Sequence, residues 1–131
     1  MHHTIVHFEI PADQPERAVK FYRDLFGWKI EKFAGEGAPE YWLVSTVPAG
    51  EGGMPTGPGV NGGLMRRQHP NHPPVNYIAV ESVDEYAKKG KRLGATEVMP
   101  KTAVKGMGWF VWLKDTEGNV FALWESDGKA A

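Results

Sequence analysis

An internal repeat constrains this chain more than any other feature, because one order of strand and helix signals runs through it twice. Gly27 and Gly94 stop two amphipathic stretches 67 residues apart, and Trp42 and Trp109 open later apolar runs at the same separation. Val44 and Val111 keep step with them. Self-similarity at a fixed offset is the signature of one supersecondary unit used twice. Upstream the offset widens to 70, pairing Ile10 with Val80, and downstream it narrows to 59, pairing Leu64 with Leu123. Insertions in loops account for differences of this kind.

Each copy reads as β-α-β-β-β. Thr4 to Ile10 alternates as a strand, Pro11 to Pro15 breaks it, and Asp13 or Gln14 starts a helix. Ala18, Phe21, Tyr22, Leu25 and Phe26 recur at three- and four-residue spacing until Gly27, which marks them as the core face of that helix. Strands are expected over Trp28 to Phe33, Tyr41 to Val47 and Val60 to Arg66, with a Gly/Pro-rich segment from Pro48 to Gly59. Gln68 to Pro74 holds three prolines and reads as a stiff linker with His69 and His72 in solvent. The second copy has a strand over Val75 to Val80 and a helix over Val83 to Leu93, with Tyr86, Ala87, Gly90 and Leu93 inward. Strands over Glu97 to Pro100, Trp109 to Leu113 and Asn119 to Trp124 follow. The expected class is α+β, one domain of module one (4–67), linker (68–74) and module two (75–126), with the halves closing on a small-molecule pocket.

Composition narrows the function classes. A chain of 131 residues holds one core of ordinary size. Its 15 basic and 16 acidic residues nearly cancel and form no long run, which argues against nucleic acid or an acidic membrane as partner. The absence of cysteine removes disulfides, thiolate nucleophiles and cysteine-type zinc sites, in keeping with a reducing compartment. No apolar stretch approaches the ~20 residues of a membrane span, and Met1-His2-His3 lacks the regions of a signal peptide, so a cytoplasmic location is expected.

The segment His7-Phe8-Glu9-Ile10-Pro11, the pairs Phe21-Tyr22 and Phe26-Gly27, and Asp115-Thr116-Glu117-Gly118-Asn119 before Phe121-Ala122-Leu123-Trp124-Glu125 follow one another in a specific order. In that order and spacing the chain resembles the glyoxalase, bleomycin-resistance and ring-cleaving dioxygenase (vicinal oxygen chelate) superfamily. Within it, the branch of lactoylglutathione lyase-related proteins is the most similar. The resemblance implies a pseudo-twofold barrel or cleft of two modules, and a homodimer. For metal-dependent members it also implies four His or Glu ligands on the first and fourth strands of both modules. Aligned through Ile10 and Val80, and through Leu64 and Leu123, those positions fall on Ile5, Val75, Gly63 and Ala122. None carries a donor for zinc, iron or manganese, so no cofactor is expected at the usual positions. A divalent metal at a relocated site, with His7 and Glu9 as its nucleus, is the alternative.

Strand alternation puts Ile5, His7 and Glu9 on one face and Val75, Tyr77 and Ala79 on the matching face of the other half, making His7 and Tyr77 symmetry mates. Asn61, Gly63 and Met65 share that face with Val120, Ala122 and Trp124, while Glu125 points away. His7, Glu9 and Tyr77 are therefore the candidate catalytic groups, and Asn61, Met65 and Trp124 the candidate ligand-binding ones. An imidazole beside a carboxylate suits general acid-base work, and Met and Trp suit an apolar ligand. The expected function is binding of a small organic molecule, by a metal-independent enzyme or by a drug-sequestering protein; a metal-dependent lyase, isomerase or dioxygenase is the third reading.

Overall fold

The structure, a computed structural model, describes residues 3–33, 40–50 and 55–131. His2 and residues 51–54 of the Gly/Pro-rich loop lie outside it. The chain forms two compact units, His7–Pro74 and Val75–Ala131, the latter including the opening residues of the first strand.

The first half consists of β1 (Ile5–Ala12), α1 (Pro15–Phe26), β2 (Lys29–Lys32), β3 (Trp42–Ser45) and β4 (Gly62–Arg66). Its strands run β2-β3-β4-β1, antiparallel except for the parallel pair β1·β4. Pro15 at the first helical position begins α1, and Gly27 ends it at φ 69° with its N–H on the Arg23 carbonyl at 2.9 Å. Val19, Ile30, Trp42, Val44 and Leu64 form the core between helix and sheet. The aromatic stripe expected to be core is largely outside it: Phe21, Leu25 and Phe26 are 57%, 58% and 57% exposed. Only the arc from Pro15 and Ala18 to Val19 and Tyr22 meets the sheet. The remaining rings cover one another instead, Tyr22 with Trp28 at 5.3 Å and Phe26 with Trp28 at 5.0 Å.

The second half repeats the order with β5 (Val75–Ala79), α2 (Val83–Arg92), β6 (Thr96–Val104), β7 (Gly108–Lys114) and β8 (Val120–Ser126). Its strands run β5-β8-β7-β6, with β5·β8 parallel. The observed class is the expected α+β pair of β-α-β-β-β modules. Ser82 caps α2 by accepting from Glu85 N at 3.1 Å, and Glu125 Oε1 accepts from Val83 N at 3.0 Å. Glu125 thus serves the helix terminus on the face away from the candidate site, as alternation required. Leu93 is the C-cap and 70% exposed, against the inward position expected for it, because the helix stops one residue before it. Strand β6 continues past Pro100, where the register shifts between Met99 and Thr102 and the missing N–H is tolerated.

Two motifs noted in the sequence have local structural roles. Asp115 Oδ1 accepts from Glu117 N at 2.8 Å and Asn119 N at 2.9 Å, and Gly118 at φ 82° completes the turn between β7 and β8. Those backbone donors, Asn119 first, hold the Asp115 carboxyl below its usual range. His72 is 2% exposed rather than in solvent: its Nδ1 accepts from Gln68 N at 3.0 Å, and Arg67 donates to its carbonyl at 2.7 Å. The prolines fold this segment back on itself through a turn from His69 to His72.

Candidate functional site

Ladder register decides which residues occupy equivalent places in the two halves. Ile10 stands opposite Leu64, and Ile78 stands opposite Leu123. With Leu64 and Leu123 equivalent, Ile10 matches Ile78 and not Val80, an offset of 68. The helices agree, since Pro15 and Val83 open them and Val19 and Ala87 are their buried residues. On the third strands Trp42 faces Leu64 and Val111 faces Leu123, so Trp42 matches Val111, while Trp109 lies opposite Glu125. The expected pairings of Ile10 with Val80 and Trp42 with Trp109 were each off by two. Alternation keeps every residue on its face under such a slip, which is why sequence pattern alone did not expose it.

The correction replaces His7 by Glu9 as the mate of Tyr77. Glu9 faces Gly63 across β1·β4, and Tyr77 faces Ala122 across β5·β8. His7 in turn is the mate of Val75, and Tyr41, immediately before β3, is the mate of Phe110.

In the first half these positions build a polar array. Tyr41 Oη donates to Glu9 Oε2 at 2.8 Å and lies 2.9 Å from His7 Nε2. The His7 and Tyr41 rings are nearly parallel, at 12° with centroids 6.5 Å apart. Gly63 makes room for this. A Cβ there would fall 1.8 Å from Tyr41 Oη and 2.1 Å from Cζ, so no other residue leaves the hydroxyl between the two partners. Glu9 is buried and His7 mostly so, and the loss of water pushes the His7 pKa from 6.5 down to about 4. The ring is neutral at physiological pH. Tyr41 was absent from the sequence-based candidates. The signal that could have found it is the inward glycine opposite Glu9, which leaves space for an aromatic ring from the neighbouring strand.

In the second half the same positions are mostly apolar. Val75, Tyr77, Trp112 and Ala122 are buried together, with Met99, Phe110, Val120 and Trp124 packed against them. Trp112 Nε1 donates to Tyr77 Oη at 3.0 Å, and the Phe110 ring meets Tyr77 edge-on at 6.0 Å. Trp124 Nε1 donates to Ser126 Oγ at 3.2 Å.

Of the other candidates, Met65 is half-buried opposite Pro11. Asn61 is buried with its amide committed to backbone. Its Oδ1 accepts from Thr46 N at 2.7 Å and Val47 N at 3.0 Å, and its Nδ2 donates to Val47 O at 3.1 Å.

The donor set does not fit the four-ligand metal shell that the resemblance implies. Gly63 offers nothing, His7 Nε2 and Glu9 Oε2 already bind Tyr41, and Val75 and Ala122 are aliphatic. Among the described residues no three His, Asp or Glu side chains come together as a metal-binding group. No helix among them is long and apolar enough to cross a membrane.

Comparison with known proteins gives a consistent picture. Residues 4–123 match the sequence model of the Glyoxalase/Bleomycin resistance protein/Dioxygenase superfamily. A glyoxylase-like domain-containing protein of Didymella fabae is 29% identical, with 98% of each chain covered. A relative from Mycobacterium bovis is 27% identical over 92% of this chain, which spans 43% of that protein's length. Among solved structures, methylmalonyl-CoA epimerase of Streptomyces coelicolor in complex with 2-nitronate-propionyl-CoA has a TM-score of 0.66 at 16% identity, covering 98% of this chain and 97% of that one. The Mycobacterium tuberculosis epimerase has a TM-score of 0.65 at 14% identity, covering 94% and 87%. At such identities the likeness is one of fold.

Proposed function

The chain belongs to the Glyoxalase/Bleomycin resistance protein/Dioxygenase superfamily, and from that premise we propose that it binds a small organic molecule over the His7–Tyr41–Glu9 face and moves a proton on it without a resident metal. The observation that carries this reading is the hydrogen-bonded array itself, one phenol hydroxyl within 2.9 Å of an imidazole and 2.8 Å of a carboxylate. An imidazole and a carboxylate linked through a hydroxyl are equipped for general acid-base catalysis. His7, kept neutral by burial, is the base, and Glu9, accepting from Tyr41 Oη, holds that hydroxyl beside it. The substrate class is a carbon acid, a C–H beside a thioester or ketone carbonyl, in keeping with the methylmalonyl-CoA epimerases that share the fold. Met65, in the same half, is proposed as a ligand contact, judged by the affinity of its alanine variant.

The test is solvent deuterium incorporation, followed by proton NMR, into methylmalonyl-CoA and into the methylglyoxal–glutathione hemithioacetal. The expected result is exchange that survives a chelator and falls by about 10²-fold or more in His7→Ala and Glu9→Gln. Exchange abolished by the chelator would overturn the metal-free reading. Tight stoichiometric binding of an aromatic compound with no exchange of either substrate would replace catalysis by sequestration.

A further inference from the structure

We propose that Asn61–Gly62 is a modification site, an intramolecular deamidation that the folded first half holds in check and that proceeds when the Asn61 amide is released. Two separate demands of the structure place this dipeptide here. Asn61 is buried, with Oδ1 accepting from Thr46 N at 2.7 Å and Val47 N at 3.0 Å and Nδ2 donating to Val47 O at 3.1 Å. Gly62 has to lack a side chain, because a Cβ there would fall 2.4 Å from the Phe8 carbonyl oxygen and 2.6 Å from Cδ1 of its ring. An asparagine followed by glycine is the pair in which a main-chain nitrogen reaches a side-chain carbonyl with least hindrance. The other asparagines, Asn71, Asn76 and Asn119, precede His72, Tyr77 and Val120.

The reaction needs only water. The Gly62 N–H gives its proton to solvent as its nitrogen attacks Asn61 Cγ; the new N–Cγ bond forms, Cγ–Nδ2 breaks, and Nδ2 leaves as ammonia, taking a proton back from solvent. Water then opens the cyclic imide. Opening at Cγ leaves aspartate, whereas opening at the main-chain carbonyl leaves isoaspartate, whose backbone runs through Cβ and Cγ and is one carbon longer. In the fold both reactants are held, Cγ by the three bonds of its amide and Gly62 within β4, paired with Phe8 on one side and Val44 on the other. The extra carbon enters immediately before β4 and shifts Gly63 from its place against the Tyr41 hydroxyl. This does not depend on what the His7–Tyr41–Glu9 face binds.

The test incubates the full-length protein at mildly alkaline pH, folded and in strong urea, and follows Asn61 by peptide mapping with mass spectrometry. Mapping is needed because Asp127–Gly128 forms the same kind of imide and adds isoaspartate of its own. With about fivefold from each of three hydrogen bonds, the folded protein should react on the order of 100-fold more slowly than the unfolded one. Thr46→Val removes the Oγ1 bonds to Val60 O at 2.7 Å and Asn61 Oδ1 at 3.4 Å and should raise the folded rate about fivefold. Urea below the unfolding transition should raise it in the unaltered protein as well, a measurement that stands even if that variant does not fold. Equal rates in the folded and unfolded protein, or an Asn61 that survives in strong urea, would overturn the proposal. The isoaspartyl form, isolated by ion exchange, should unfold at a lower urea midpoint than Asn61→Asp, which carries the same charge without the added carbon; coincident midpoints would overturn the displacement of Gly63.

Discussion

Acidification should destabilise this protein through His7 in a way that one substitution removes. The folded-state pKa of His7 is pushed from 6.5 down to about 4 by burial. As pH falls, the unfolded chain therefore takes up the proton first. The contribution of neutral His7 is fully present above pH 6.5 and is lost progressively down to about pH 4. Within that window each pH unit costs about 1.4 kcal/mol, and the whole interval about 3 kcal/mol. Against a total stability of roughly 5–15 kcal/mol this is readily measured. Urea unfolding followed by tryptophan fluorescence, at several pH values from neutral to about 4, gives the curve for the unaltered protein and for His7→Gln. Glutamine keeps a donor toward Tyr41 but does not titrate. Ordinary carboxylates titrate in both proteins and cancel in the difference, as does His72, which is lowered by burial, His69 and Arg67. The stability difference between the two proteins should change by about 3 kcal/mol across the window. Parallel curves would refute the claim that His7 is buried and neutral.

Three further outcomes follow from packing and hydrogen bonding. Asn61→Ala strands two backbone donors, Thr46 N and Val47 N, and should cost about 2–3 kcal/mol by urea unfolding, with Asn61→Asp milder because it retains the acceptor. Glu125→Ala uncaps the Val83 N–H at the start of α2 and should cost about 1 kcal/mol by the same assay, with Glu125→Gln costing less. The double change Phe21→Ser and Leu25→Ser falls on exposed positions and should leave stability within about 0.5 kcal/mol, whereas a loss of several kcal/mol would show the stripe to be core after all.

The doubled fold was legible because each element carries its own local signal. Prolines and glycines punctuate the chain at Pro15, Gly27 and Gly118, and alternation fixes which side of a strand each residue takes. Alternation also placed His7, Glu9 and Gly63 on one face and Tyr77 and Ala122 on its counterpart, and it turned Glu125 away. Cross-strand register was not legible, because a shift of two preserves every alternation; this is why His7 was matched with Tyr77 in place of Glu9. Tyr41 escaped for a related reason. Its importance arises only when β3 lies beside β4 and the missing side chain of Gly63 admits its hydroxyl. The exposed stripe of α1 shows the limit of periodicity, which reveals that a helix has an apolar side without fixing how much of that side the sheet covers.

The amide of Asn61 has a consequence for how freely this fold can be altered. By bonding Thr46 and Val47, while Thr46 Oγ1 donates to Val60 O at 2.7 Å, it closes the base of the excursion between β3 and β4 with side-chain bonds. These bonds help to set the β3·β4 register from below. Doubling the length of such a closed excursion costs only about 0.6 kcal/mol. A lengthening of that excursion beyond the Asn61 bonds is therefore expected to leave Gly63 in line with Glu9.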